Sequence, residues 1–187
     1  MWGTRSRRKG TGFATAPPVV TERLVIRAAF PSDMDGLAVA LKSEPAAAVP
    51  WDDEWVRQMQ RIVGGGAGVK LLKVICERGS GTIVGLLWER SADQLSTERV
   101  HLMLWTASAH DADGYFGEVL AGYVPRLHER GFRSVCCEVI DDTDQGRALL
   151  QAAGFEHVDT VQRQRADGSM VMASVYEHRE RSNDQSV

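Results

Sequence analysis

The sequence predicts an α/β domain whose central sheet is mixed and mostly antiparallel, with about seven strands flanked by about four helices. Segments of alternating apolar residues and segments of helical spacing follow one another in the order β-α-α-β-β-β-α-β-α-β-β. Apolar residues make up 43% of the 187 residues and charged residues 25%. This composition is typical of a globular chain that is long enough to bury a real core.

The first half of the chain predicts one strand, two helices and then a strand pair. Ser32 begins the first helix, with Asp35 as the acid of a capping box. Apolar residues at helical spacing over 52–62 predict the second helix, which ends at the glycines of 64–68. The strands predicted here are 22–29, 69–77 and 82–90, the last two joined by the short turn RGSG.

The second half predicts four strands and two helices. A long helix spans 114–130, with a kink at Pro125 and its end at Gly131. Asp144 caps a shorter helix that ends at Gly154. The predicted strands are 98–106, 132–140, 156–164 and 170–178, and the last two form a hairpin.

Charge, hydropathy and cysteine usage exclude several classes of protein. The net charge is −3, from 22 basic and 25 acidic residues, which argues against a generally basic nucleic-acid binder. No apolar run approaches the ~20 residues of a membrane-spanning helix. Cys76, Cys136 and Cys137 are an odd number without paired spacing, so we expect a reducing, cytoplasmic compartment. The sequence has no CxxC or HExxH motif, so it predicts no metal site.

Both ends of the chain are polar. Residues 1–20 predict a flexible basic tail, and 179–187 predict a polar C-terminal tail, which leaves 21–178 as a single domain. The basic cluster is followed by no apolar segment and is therefore no secretory signal. It is either a solvated leader or a contact with RNA, the ribosome or another acidic surface.

Four stretches, in unbroken order, resemble the GNAT superfamily of acyl-CoA-dependent N-acyltransferases. They resemble in particular the branch that includes ribosomal-protein N-terminal acetyltransferases. The resemblance implies a GNAT-like fold, acetyl-CoA or another acyl-CoA as cofactor, and acyl transfer to a primary amine of a small molecule or a peptide N-terminus. The stretches are TERLVIRAAFPSDMDGL (21–37), HLMLWT (101–106), GYFGEVLAGYVPRLHERGFRSVCCEVI (114–140) and ALLQAAGFEHV (148–158).

The resemblance also implies where the cofactor binds. The pantetheine arm lies against a strand that splays open, and the backbone N–H groups at the start of the next helix hold the pyrophosphate. The strand residues are Leu104, Trp105 and Thr106; the residues of the phosphate loop are Asp111, Gly114, Tyr115, Phe116 and Gly117.

Several residues depart from the family's cofactor pattern. Asp111 and Asp113 stand where a phosphate arrives, and Phe116 stands where a small residue is usual. A like-charge pair about 6 Å apart costs roughly 0.7–3 kcal/mol, so these residues predict weakened CoA binding. Thr143 replaces the usual Asn, while Arg147 either reaches a CoA phosphate or is a solvated helix charge.

N-acyl transfer needs a base, because the attacking amine must be neutral. Glu89 lies at the end of a central predicted strand, and His101 and Glu138 lie on its neighbours. Each is a candidate base, with surface or cross-strand pairing as the alternative. The late helix has no Tyr, which often supplies the acid in this family, and Tyr123 falls on the apolar stripe of its helix.

Trp51 and Trp55 flank the acidic run at 52–54 and are candidate substrate contacts. The resemblance places this segment beside the acceptor pocket, where an acidic, aromatic rim suits a cationic amine. The alternative is an N-capping acid cluster with core tryptophans. The edge strands also allow a homodimer.

Two other functions compete with an active transferase. One is a GNAT-fold protein with lost or altered CoA use that acts as a binding or regulatory module. A groove filled by Phe116 or Tyr115 would favour it. The other is an adaptor that binds RNA or the ribosome through the basic tail, with an affinity that falls steeply in salt.

Overall fold

The computed structural model describes residues 17–42, 72–90, 98–107, 114–140, 144–164 and 169–180. The described strands are β1 (Val19–Val20), β2 (Leu24–Ala28), β3 (Leu72–Glu77), β4 (Ile83–Arg90), β5 (Arg99–Thr106), β6 (Ser134–Ile140), β7 (Glu156–Gln164) and β8 (Met170–Arg179). The described α-helices are α1 (Met34–Lys42), α2 (Tyr115–Glu129) and α3 (Asp144–Ala152).

All eight described strands form one sheet, in the order β1-β2-β3-β4-β5-β6-β8-β7. Strands β5 and β6 are parallel, and every other neighbouring pair is antiparallel. The predicted mixed, mostly antiparallel α/β architecture is confirmed. The additional strand is β1, two residues long, which lies within the segment that the sequence assigns to the tail.

The helices cover opposite faces of the sheet and divide the core into two clusters. The larger cluster lies under α2 and α3 and includes Leu102 of β5 and Cys137 of β6. The smaller cluster lies under α1 and includes Trp105 of β5. Alternation along β5 therefore points Leu102 and Leu104 to the α2 face and His101 and Trp105 to the α1 face.

The start of α1 differs from the sequence prediction. A short 3₁₀ turn, Pro31–Asp33, precedes the helix, and the acid that closes the turn is Asp33 rather than Asp35. The Asp33 carboxylate accepts the backbone N–H of Phe30 at 2.7 Å and two bonds from the Arg27 guanidinium at 2.7 and 2.8 Å. Asp33 takes this role because Arg27 reaches it from β2, a contact that local spacing does not reveal.

Helix α2 follows its prediction closely. It continues through Pro125 to Glu129, and Gly131 has a φ of 99°, which favours glycine at a helix end. The backbone N–H groups of Gly131 and Phe132 donate to the carbonyls of His128 and Leu127. None of the described helices is both long and apolar enough to cross a membrane. The predicted helix over 52–62 lies outside the described residues.

The three cysteines are free and buried. Cys137 belongs to the larger core cluster, whereas Cys136 lies on the other face beside Ser134 and Glu177. Burial raises the pKa of both thiols, which keeps them protonated and unreactive.

Candidate functional site

Strands β5 and β6 separate partway along their length. Their parallel pairing covers four residue pairs, from Arg99 with Ser134 to Leu102 with Cys137. Beyond that point β5 continues to Thr106 along β4, while β6 continues along β8. The two strands therefore stop pairing with each other in the middle of the sheet, which leaves a gap in the ladder between their carboxyl ends.

The side chains that follow the last β5–β6 pair pack on both faces of the sheet. Leu104 of β5 and Val139 of β6, each two residues beyond the last pair, are partly buried and pack against the larger core cluster. Trp105 and Thr106 are buried, and the Trp105 side chain packs in the smaller cluster on the other face. Leu104, Trp105 and Thr106, the predicted contacts of the pantetheine arm, thus lie along the stretch of β5 that no longer pairs with β6.

Helix α2 begins close to the carboxyl end of β5 in the chain. Its N-cap is Gly114, which has a φ of 71° and no side chain to cap the helix. A Cβ atom built at Gly114 or Gly117 would meet no atom of the described residues within 4 Å. The described part of the chain therefore leaves space beside the first turn of α2, where backbone N–H groups and the helix dipole favour an anion.

The first turn of α2 is fixed to the start of the sheet. Glu118 accepts hydrogen bonds from the Thr21 hydroxyl, the Arg23 backbone N–H and Arg23 Nε. The Tyr115 hydroxyl donates to Glu77 Oε1 at 2.8 Å, and the Arg23 guanidinium lies 4.8 Å from the Tyr115 ring centre. Tyr115 therefore holds α2 against β2 and β3, while Phe116 packs against the larger core cluster.

His101 and Glu138 meet on the α1 face, beside the point of divergence. Glu138 Oε1 lies 3.9 Å from His101 Nδ1, which is too long for a hydrogen bond but close enough for electrostatic attraction. Arg163 of β7 donates two hydrogen bonds to the Glu138 carboxylate, at 2.8 and 2.7 Å. The structure thus brings together two of the three predicted bases.

The electrostatic environment keeps His101 neutral. Partial burial lowers the pKa of His101, the charges of three nearby arginines lower it further, and Glu138 partly offsets them. The Arg163 hydrogen bonds hold the pKa of Glu138 below its usual value, so Glu138 is an anion. A neutral imidazole beside a fixed carboxylate is suited to accept a proton.

Glu89, the third predicted base, lies on the opposite face of the sheet. Its side chain is fully buried between β4 and α2, where it accepts two hydrogen bonds from Arg130 and one from the Tyr123 hydroxyl. Lys73 Nζ lies 3.6 Å from the same carboxylate. Burial and the Glu89 charge raise the pKa of Tyr123, which remains a donor. These contacts favour a structural role for Glu89.

A comparison with protein-family models finds no match, and neither does a comparison with curated protein sequences. Solved structures, in contrast, match along most of the chain. An acetyltransferase of the GNAT family from Bacillus anthracis superposes with a TM-score of 0.69 and 13% identity, over 87% of this chain and 98% of that one. The chain has the GNAT fold.

Two other solved structures with the GNAT fold bear the names of enzymes that act on ribosomal proteins. A ribosomal-protein-S5-alanine acetyltransferase from Vibrio fischeri superposes with a TM-score of 0.74 and 11% identity, over 89% of this chain and 98% of that one. A ribosomal L7/L12 alpha-N-protein acetyltransferase, solved in complex with coenzyme A, gives a TM-score of 0.72 and 16% identity, over 87% and 98%. The predicted GNAT-like fold is confirmed.

Of the other residues predicted from the GNAT resemblance, the structure describes Arg147. Arg147 lies on α3, with Nη1 3.8 Å from Asp144 Oδ1. The predicted contacts Asp111, Thr143, Trp51 and Trp55 lie outside the described residues, as does Asp113.

Sequence reasoning missed two parts of this GNAT-fold site. It did not identify Arg163, because the residue lies on a different strand from Glu138, 25 positions away. It also missed the anchor of α2 by Glu118 and Tyr115. Glu118 was recognisable as an acid in the first turn of a helix, but its partners Thr21 and Arg23 are 97 and 95 residues away.

Proposed function

We propose that this protein is an N-acyltransferase that moves an acetyl or other acyl group from acyl-CoA to a primary amine. The observation that carries this proposal is the divergence of β5 and β6 after Leu102 and Cys137, beside a helix that begins at an uncapped glycine. An extended chain with amide groups fits such a gap, since the backbone of a strand that leaves its partner retains hydrogen-bonding capacity.

The residues around the gap fit acyl-CoA in two respects. The backbone of Leu104–Thr106 would bind the pantetheine arm, and the open space at Gly114 and Gly117 would admit the pyrophosphate. When bound, acyl-CoA would supply the acyl group as a thioester. Asp111 and Asp113 would weaken the phosphate contacts, so we expect a modest affinity.

His101 would act as the general base. The Glu138 carboxylate, which Arg163 holds in place, faces Nδ1 and would favour the tautomer with its proton on Nδ1, so that Nε2 can take a proton from the attacking amine. The amine would approach from the α1 face, where His101 lies. The proton held at Nε2 can then be returned to the leaving group, directly or through water.

The tyrosines support this assignment of both proton transfers to His101. The hydroxyls of Tyr115 and Tyr123 donate to Glu77 and Glu89, respectively. Tyr176 is buried in the larger core cluster. A tyrosine acid would have to leave these sites.

The test is acetyl-CoA binding followed by turnover. Ligand at about 100 times its Kd adds about 2.7 kcal/mol to stability, which is roughly 5–10 °C in melting temperature for a chain of this size. His101→Gln should retain this shift and lose roughly 10²–10⁴-fold in kcat on any amine that is acylated. The absence of both a shift and a calorimetric signal at millimolar acetyl-CoA would contradict the proposal.

A loop variant separates a weak phosphate site from a different function. Asp111→Arg and Asp113→Gly together remove the two acids from the predicted phosphate loop and leave Phe116, which packs against the larger core cluster, in place. We expect tighter acetyl-CoA binding from this variant. If the variant also fails to bind, the chain is a GNAT-fold binding module.

A further inference from the structure

The surface around His101 is rich in arginine. Arg90 of β4 lies directly opposite His101 in the antiparallel register. Arg99 lies two positions before His101 on the same face of β5, and Arg163 reaches over from β7 to bind Glu138. All three guanidinium charges act on the imidazole, since each of them lowers the pKa of His101.

The neighbouring carboxylates lie deeper than the arginines. Glu177 of β8 accepts hydrogen bonds from Arg99 and Arg179, and Glu138 accepts from Arg163. The side chains of Glu177 and Glu138 are 3% and 27% exposed, whereas those of Arg163, Arg99 and Arg179 are 46%, 56% and 75% exposed. The guanidinium groups therefore form the outer layer of this face.

The charges nearest His101 do not cancel. Three arginines, Arg90, Arg99 and Arg163, act on the imidazole together with a single carboxylate, that of Glu138. The other acids of the described strands on this face are Glu177, which lies deeper than Arg99 and Arg179, and Glu156 and Asp159 on the outer strand β7. A cationic acceptor without other charges would be repelled here, whereas carboxylates would be attracted.

We propose that the acceptor is an amine that carries carboxylates close to the reacting nitrogen, as in a peptide with an acidic N-terminal sequence or an acidic amino acid. Arg90, Arg99 and Arg163 would bind these carboxylates, and their charge would favour the neutral form of the amine beside His101. This inference rests on the proposed acyl transfer and adds the class of its acceptor.

The test compares acceptors that differ only in charge. Three ten-residue peptides share an N-terminal serine, followed by four residues that are all acidic, all the corresponding amides, or all lysine. Free aspartate and glutamate form a separate arm. Release of CoA from acetyl-CoA gives kcat/KM for each acceptor, and anisotropy of labelled peptides gives binding without turnover.

We expect the acidic peptide to exceed the amide peptide by roughly tenfold or more in kcat/KM, with a preference that falls as salt is raised. The lysine peptide should be the poorest. If free aspartate or glutamate is acylated with a kcat/KM comparable to that of the acidic peptide, the acceptor is a small acidic amine rather than a peptide.

Two variants connect the preference to this face. Arg90→Gln and Arg99→Gln should each reduce the acidic-to-amide ratio by roughly three- to thirtyfold. Arg126→Gln is the matched control, because Arg126 is an exposed arginine of α2 that pairs with Glu129 on the other side of the sheet. It should leave the ratio unchanged.

The outcomes separate this inference from the proposed function. If acetyl-CoA binds and the amide or lysine peptide is acylated as well as the acidic one, the transferase stands and the inference is wrong. If no peptide is acylated, binding decides: an acidic preference that is lost in Arg99→Gln supports the inference, and equal binding of the three peptides overturns it.

Discussion

The imidazole of His101 makes acyl transfer testable through its pH dependence. Burial and the charges of Arg99, Arg90 and Arg163 lower the pKa of His101, while Glu138 raises it. Because the base must be neutral, the midpoint of the acidic decline in kcat should lie below pH 6.5, the ordinary pKa of histidine. The measurement is kcat from pH 5 to pH 9 at saturating substrates.

Substitution of Glu138, whose carboxylate lies beside the His101 imidazole, should shift the pH dependence of kcat. Glu138→Gln removes the one charge that raises the pKa of His101, so the acidic decline should move to a lower pH. His101→Gln should remove the decline together with most of the rate. An acidic midpoint above pH 6.5, or full activity in His101→Gln, would exclude His101 as the base.

Glu89 carries a prediction about stability rather than catalysis. Its carboxylate is fully buried and binds Arg130, Tyr123 and Lys73. Removing one partner from a buried ion pair leaves an uncompensated charge and typically costs about 3–5 kcal/mol. Glu89→Gln should therefore lower the free energy of unfolding by about this amount in urea titrations.

Glu129→Gln is the control for Glu89, because it breaks an exposed pair with Arg126 that is worth at most about 1 kcal/mol. If Glu89→Gln is as stable as the control but has lost kcat, the buried carboxylate takes part in the reaction and the structural role is wrong.

At the scale of elements, the contact between β4 and β5 controls the position of the diverging strand. A Cβ atom at Gly85 would lie 2.5 Å from the Trp105 carbonyl oxygen and 2.9 Å from Cδ1 of Ile75. Gly85→Ala must therefore displace the backbone of Trp105, which the proposed function assigns to the pantetheine arm. We expect a loss of about 1–3 kcal/mol in stability and weaker acetyl-CoA binding.

Gly79→Ala is the matched control, because a Cβ atom there meets no atom of the described residues within 4 Å. Thermal unfolding and calorimetry with acetyl-CoA measure both effects. Loss of stability with unchanged affinity would show that the carbonyl side of Trp105 does not shape the cofactor groove.

The elements were largely predictable because their signals are local. Alternation and glycine turns predicted β3, β4 and the final hairpin, and Gly131 predicted the end of α2. Strand β1 was missed because two residues carry no periodicity. The switch from Asp35 to Asp33 at the start of α1 was missed because it depends on the Arg27 side chain, which reaches the turn from the preceding strand β2.

The candidate site was less predictable because it depends on contacts across the sheet. Sequence alone did not distinguish Glu89 from Glu138, since both are acids in predicted strands. Their surroundings differ because Glu89 faces α2 and Arg130, whereas Glu138 faces the α1 side and Arg163. Such pairings over long separations become visible only when the strand order is known.

At the scale of the whole molecule, four carboxylates make the stability of the chain depend on pH, and three of them join distant parts of the chain. Hydrogen bonds and arginine charges hold the pKa of each below its usual value, although burial opposes this at every one of them. The four are Asp33 with Arg27, Glu118 with Thr21 and Arg23, Glu138 with Arg163, and Glu177 with Ser134 and Arg179.

The sign of the effect follows from linkage. A carboxyl with a lowered pKa in the folded state contributes stability above its unfolded value, near pH 4, and loses it as the pH falls through the folded value. The lowered pKa of His101 acts in the same direction, because as the pH falls the unfolded chain protonates this imidazole at a higher pH than the folded chain does. The urea midpoint should therefore fall steadily from pH 6 to pH 3.

Glu118→Gln separates this mechanism from general charge repulsion. Its side chain is largely buried and anchors α2 through a network that the amide satisfies only in part. The variant should be less stable at pH 6, yet its stability should fall less between pH 5 and pH 3, because one group no longer titrates. If the stability of Glu118→Gln falls with pH in parallel with that of the native chain, the pKa of Glu118 is the same in the folded and unfolded states. The hydrogen bonds from Thr21 and Arg23 then do not stabilise its anion.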